Sequence, residues 1–134
     1  MGTNAREQPS PYAGWQKLVA PYQKPDLRKS VWQIINSFGG LFLTMVLMYL
    51  SLRVGYWLTL LLAFPTAGFL VRIFIIQHDC GHGAFFKSRR ANTVVGTVCS
   101  LFTLVSYKYW LKGHAVHHAT HAELEERGIG DVWT

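Results

Sequence analysis

All the imidazole in this chain belongs to two clusters, and their spacing is that of metal ligands. His78-Asp79-Cys80-Gly81-His82 holds two histidines at i and i+4, neighbours on a helix surface. His114-Ala115-Val116-His117-His118-Ala119-Thr120-His121 holds the other four, which share one helical face. A stripe of imidazole has little packing value, whereas neutral histidine is the commonest metal-ligating side chain. A structural zinc is satisfied by four ligands and a catalytic zinc by three plus water. Six clustered histidines exceed that need, and with no thiolate cluster beside them a two-metal site is the economical reading.

The residues around the clusters take lesser roles. Asp79 is read as an outer carboxylate accepting an imidazole N–H, and solvated surface charge is an equal alternative. Cys80 projects away from the histidines and is read as packing. Glu125 returns to the histidine face four residues past His121, in what should be a fraying, solvated helix end. Phe85, Phe86, Tyr109 and Trp110 read as interface anchors in preference to the lining of an acyl channel. Lys87, Arg89 and Arg90 are expected to meet lipid phosphates.

The elements that must position these ligands are apolar. Half of the 134 residues are hydrophobic, and they concentrate in runs at 34–52 and 58–76, each near the roughly 20 residues that span a bilayer. The fold class expected is therefore an all-α membrane protein: a transmembrane helical hairpin followed by cytosolic or interfacial helices that carry the histidines. The formal charge of +6 flanks the hydrophobic runs and forms no stripe of its own, which favours anionic lipid over nucleic acid. Two cysteines make no disulfide framework, and the polar, proline-containing start is no signal peptide.

Residues 1–29 read as an irregular cytosolic or interfacial arm, with Tyr12, Trp15 and Tyr22 at the membrane surface. Ser30-Val31-Trp32-Gln33 has the form of a capping box and predicts a helix over about 31–52. A tight turn at Arg53-Val54-Gly55 leads to a second helix over about 56–76. Its apolar residues contribute roughly −4 to −7 kcal/mol to insertion, against at most about +3 for Arg72, which is expected to snorkel from near an end. Pro65 is a candidate kink.

Lysine and arginine number five before the first helix, one in the turn and five over 87–112, which puts both ends of the hairpin on the cytoplasmic side. Residues 91–107 are apolar but short and interrupted by Thr93, Gly96, Thr97, Ser100, Thr103 and Ser106. A crossing there would separate the two clusters, so the segment is read as interfacial or re-entrant, followed by a second ligand helix over about 110–127. Gly128 and Gly130 should stop that helix, and Asp131 is a candidate N-cap of another element. A metal site at a membrane surface has acyl chains within reach. Their methylenes offer no acidic proton or polarised bond, so attack on them calls for a redox metal and oxygen.

The ordered pair His-Asp-Cys-Gly-His and His-Ala-Val-His-His, after a transmembrane hairpin, resembles the first two histidine boxes of the membrane fatty acid desaturase family. Gln77, Gly83, Phe86, Asn92 and the run Gly130-Asp131-Val132-Trp133-Thr134 share the likeness, which covers the chain from about Pro21 onward. The resemblance implies a cytosolic di-iron centre that activates dioxygen to remove hydrogens from an acyl chain, presented as a membrane lipid or an acyl thioester. It implies electrons from a ferredoxin or small cytochrome. Carried over by position, the ligands are His78, His82, His114, His117 and His118. His121 matches no box position and stays open between ligand and outer partner. The family carries two further membrane helices and a third H-x-x-H-H box, absent after His121. Residues 30–134 are thus expected to be the N-terminal part of such a domain, inactive without a C-terminal half. Hydroxylases and carotenoid-modifying enzymes share these boxes, and a non-catalytic membrane metal-binding remnant is the competing class.

Overall fold

A computed structural model describes residues 24–120, with the side chains of 117–120 excepted. The expectations for the arm before residue 24, for His121, Glu125 and the stop at Gly128 and Gly130, and for Asp131 lie outside the described residues. Four helices follow in order: α1 Leu27–Ser51, α2 Tyr56–Gly81, α3 Arg89–Thr103 and α4 Tyr107–Thr120. Among the described residues there is no strand, and two helices, α1 and α2, are long and apolar enough to cross a membrane. The protein is an all-α membrane protein built on that hairpin.

The start of α1 differs from the capping-box expectation. Asp26 is the N-cap, its carboxylate accepting from the backbone N–H groups of Arg28 at 2.9 Å and Lys29 at 3.3 Å. A carboxylate there satisfies orphan donors and also complements the positive helix end, so the helix begins four residues before 31. Ser30 thereby becomes an interior residue. Its buried hydroxyl lies 2.9 Å from the Asp26 carbonyl and 2.6 Å from the carbonyl of Phe85, tying α1 to the segment after the first histidine pair.

The second helix runs on past residue 76 to Gly81, and its 26 residues make a rod about 39 Å long at 1.5 Å per residue. It stays helical through Pro65. Arg72, expected near an end, is well inside the longer helix and donates from Nε to Ser37 of α1 at 3.3 Å. The extension follows from packing, because Ile73, Ile76, Gln77 and Cys80 are buried against the neighbouring helices. The end is set by backbone chemistry. His82 is the C-cap, Gly83 takes φ +68°, and the N–H groups of Gly83 and Ala84 close back on the carbonyls of Cys80 and Asp79 at 3.0 Å each. That is a Schellman closure, and its left-handed position suits glycine.

The loop from His82 to Ser88 is held by Asn92. This buried side chain accepts from the Phe86 N–H at 2.9 Å and donates to the Phe86 carbonyl at 2.8 Å. Ser88 caps α3 by accepting from the Ala91 N–H. Leu104 ends α3 in the left-handed conformation, φ 57°, and the chain turns by 100° into α4. The bend is stabilised where the buried Tyr107 packs on Gly96 of α3.

The core is concentrated at the histidine end of the hairpin. Leu41, Ile73, Ile76, Cys80, Phe85, Cys99 and Tyr107 form it, with Phe38 and Phe102 meeting edge to face at 5.1 Å on its flank. Toward the other end, Leu43, Val46, Leu60, Leu61 and Phe64 are exposed, the pattern of side chains facing lipid.

Candidate metal centre

The two histidine clusters meet. His78 lies in the last turn of α2, His82 caps that helix, and His114 comes from α4, which the 100° bend swings over the α2 C-terminus. His82 Nε2 is 3.2 Å from His78 Nε2 and 3.1 Å from His114 Nε2, and the ligand atoms of all three lie within 4.8 Å of one another.

Such a cluster has a chemical requirement. A ring nitrogen carries either one lone pair or one proton, so His82 Nε2 cannot complete good hydrogen bonds to both neighbours at once. A cation satisfies all three lone pairs together. Two nitrogens bound at about 2.1 Å to one ion at right angles stand about 3 Å apart, close to the two Nε2 spacings that His82 makes. The set is imidazole only: Cys80 and Cys99 are free and buried in the core, so no thiolate competes. The residues present therefore fit a divalent transition metal. His82 is the exposed member of the three.

Asp79 places a carboxylate oxygen 3.3 Å from His78 Nδ1, a long contact directed at the ring atom that faces away from the cluster. His117 and His118 belong to α4 one turn beyond His114, but their side chains lie outside the described residues, as does all of His121. The structure thus brings together His78, His82 and His114 from the expected ligand set.

Trp110 is the main residue that sequence reasoning placed elsewhere. Its indole stacks on the His114 imidazole, centroids 4.5 Å apart and planes 17° apart, and meets His78 at 5.8 Å, contacts that the interface-anchor reading did not include. Phe74 closes on its other edge at 5.8 Å. Gly81 makes room for it, since a Cβ at that position would sit 2.8 Å from Trp110 Cζ3. The i to i+4 spacing of Trp110 and His114 was the available signal. Gln77 and Thr103 were also unassigned a partnership. They meet at 2.7 Å across α2 and α3, with Gln77 fully buried.

Residues 54–129 match the family model described as fatty acid desaturase. The chain belongs to the fatty acid desaturase family. It is 46% identical over 117 residues to the fatty acid desaturase of Bacillus subtilis (strain 168), an alignment covering 87% of this chain and 33% of that protein. The acyl-lipid omega-3 desaturase (cytochrome b5), endoplasmic reticulum, of Arabidopsis thaliana is 43% identical over 53 residues, 40% of this chain and 14% of the relative. The sn-2 acyl-lipid omega-3 desaturase (ferredoxin), chloroplastic, of Helianthus annuus is 40% identical over 53 residues, 40% of this chain and 12% of the relative. No solved structure matches. This desaturase-family chain spans about a third of the length of its Bacillus subtilis relative. The matched region contains α2, the histidine pair at its end, α3 and the second cluster.

Proposed function

We propose that this chain supplies the first two histidine boxes of an oxygen-dependent, di-iron membrane desaturase that introduces a double bond into fatty acyl chains. The observation that carries the reading is the 3.1 Å approach of His82 and His114, which come from different helices and are 32 positions apart. Iron, when bound, supplies the redox chemistry that unactivated methylenes require.

The chain's own residues do the holding and orienting. His78, His82 and His114 present Nε2 lone pairs to one point, and His117 and His118, one turn further along α4, complete the set that the family pattern assigns to this chain. Asp79, accepting from Nδ1–H of His78, fixes the tautomer that leaves Nε2 free to ligate. Trp110 and Phe74 cover one side of the site with hydrocarbon and keep water from it. His121 serves as an outer partner or additional ligand. Two irons need more donors than these, so activity requires ligands from a third box of the kind the family carries.

The same reading places α1 and α2 across the cytoplasmic membrane with the histidines facing the cytoplasm, and α3 lying in or re-entering the interface. Basic residues support that orientation: Lys24, Arg28 and Lys29 flank the start of α1, and Lys87, Arg89 and Arg90 precede or open α3, against Arg53 in the turn. The substrate is an acyl chain of a membrane lipid or acyl thioester. The electron donor is a ferredoxin or a small cytochrome, as the names of the Helianthus annuus and Arabidopsis thaliana relatives suggest for this chemistry.

A chimera tests the proposal. This chain replaces the matching third of the Bacillus subtilis relative, and acyl composition is measured in a host lacking its own desaturase. Unsaturated acyl chains are expected, and they should vanish when His118→Ala is added while membrane insertion persists. A folded, inserted chimera with bound iron and no new double bonds, or turnover retained by His118→Ala, overturns the assignment.

A further inference from the structure

We propose that Trp110 is a positioning residue for the metal centre: its indole clamps the second histidine cluster onto the first and sets the angle at which His114 meets an ion. The inference rests on the metal-binding reading of the three histidines and adds to it a residue outside the ligand set.

Among the described residues, α4 is held to the rest of the fold mainly at its root and at Trp110 and Leu111. That helix departs from α3 through a three-residue turn at 100°, and the turn contains Leu104 in a left-handed conformation. Tyr107, in the first turn of α4, is buried against Gly96 and fixes the root of the helix. His114 is seven residues beyond that anchor, about 10 Å along the axis, so a small change of angle at the root moves its nitrogen by an appreciable part of a bond length. A metal site tolerates little such movement, because its ligand distances are set within about 0.2 Å.

Trp110 supplies a second anchor, with Leu111 beside it over Gly81 but away from any ring contact with the histidines that is described. One edge of the indole sits over Gly81, where no side chain intervenes between it and the α2 backbone. One face lies nearly parallel to the His114 ring, and the same indole borders His78, so it touches one histidine from each cluster. Phe74, one turn before His78 on α2, braces it by an edge contact. The stacked ring fixes χ2 of His114 as well as its position, which a purely space-filling aliphatic residue does not do. A flat six-membered ring retains most of this geometry; leucine retains none of the stacking.

Cobalt(II) is the probe, added to the full chain in detergent, and binding is read from the visible ligand-field bands and from quenching of tryptophan fluorescence. Wild type, His82→Ala, Trp110→Phe and Trp110→Leu are compared. Trp110→Leu is expected to weaken cobalt binding about tenfold or more and to alter the band pattern, a loss of the size seen when residues that orient ligands are removed. Trp110→Phe should recover affinity to within about threefold and restore the bands. The chain has five tryptophans, and among the described residues Trp110 is the one stacked on a ligand, so Trp110→Phe should also lose the largest part of the quenching. Wild-type affinity and bands in Trp110→Leu, equal losses in Trp110→Leu and Trp110→Phe, or undiminished quenching in Trp110→Phe each overturn the positioning role. The quenching comparison holds even where Trp110→Leu fails to fold. Failure of the metal reading looks different: wild type and His82→Ala then behave alike toward cobalt, whatever residue 110 is.

Discussion

His82 and His114 face each other with their Nε2 atoms 3.1 Å apart. Two groups in contact share one aqueous compartment, so in the proposed membrane placement the 22 Å or so of helix in α3 does not carry the second cluster across a bilayer away from the first. The 15 residues of α3 are also short of the roughly 30 Å of hydrocarbon. In that placement α3 is a strut that returns the chain to the side it left.

His82 Nε2 makes both of the short Nε2 contacts described in the cluster, 3.2 Å to His78 and 3.1 Å to His114, while His78 and His114 meet ring to ring with centroids 4.8 Å apart. Cobalt or iron affinity should therefore fall furthest in His82→Ala, by more than about 100-fold, since outer partners of ligands alone account for 10–100-fold. His78→Ala should lose less, because it leaves the contact between His82 and His114 intact. Equilibrium dialysis of these two single variants ranks them, and an undiminished affinity in His82→Ala removes it from the site.

Much of this arrangement was legible because it depends on composition and period. The two spans announce themselves as long apolar runs, and the i, i+4 pair of His78 and His82 follows from helical geometry. What the sequence hid is tertiary. Asp26 and Ser30 both have the chemistry of an N-cap, and only the packing of Ser30 against the Phe85 carbonyl decides that Asp26 takes the position. Trp110 has the same amphipathic ring whether it faces lipid or stacks on a histidine, and periodicity cannot tell these apart. The length of α2 was underestimated because Gln77 and His78 read as the end of hydrophobicity, whereas the helix ends where the backbone closes around Gly83.

Thr103 donates to Gln77 Oε1 at 2.7 Å, and Gln77 Nε2 is buried with no hydrogen-bond partner among the described residues. Thr103→Val keeps the shape and removes the single bond that the amide makes. Leaving both ends of a buried amide unpaired costs about 1–3 kcal/mol, so the thermal midpoint in detergent should drop by several degrees. Because Gln77 precedes His78, the same variant should broaden the cobalt ligand-field bands. An unchanged midpoint would mean that water enters to serve the amide.

Gly96 lies under the ring of Tyr107, and a Cβ there would overlap that ring. Tyr107 is buried and cannot yield without moving the root of α4. Gly96→Ala is therefore expected to destabilise the fold by about 1–3 kcal/mol through overpacking and to weaken metal binding as His114 is displaced. Tyr107→Leu in the same chain should return part of both losses, and thermal midpoints with cobalt titrations across the four combinations measure the coupling. Additive effects would show that the two residues do not press on each other.

Sidedness can be read with cysteine chemistry because the native thiols are out of reach. Cys80 and Cys99 are buried, and burial pushes the Cys99 thiol up to about 11, so at neutral pH it is protonated as well as shielded. Wild-type chain in intact cells should take up no membrane-impermeant maleimide. Against that background, Val54→Cys, in the exposed turn between α1 and α2, should label from outside the cell. Lys87→Cys, exposed beside the histidine end, should label only after the membrane is opened. The two sites lie at opposite ends of α2, whose length exceeds the hydrocarbon thickness, so one must be outside when the other is inside. Labelling of Lys87→Cys from outside would invert the proposed orientation and put the histidines on the wrong side for a cytoplasmic electron donor. Labelling of both from one side would show that α2 does not cross at all.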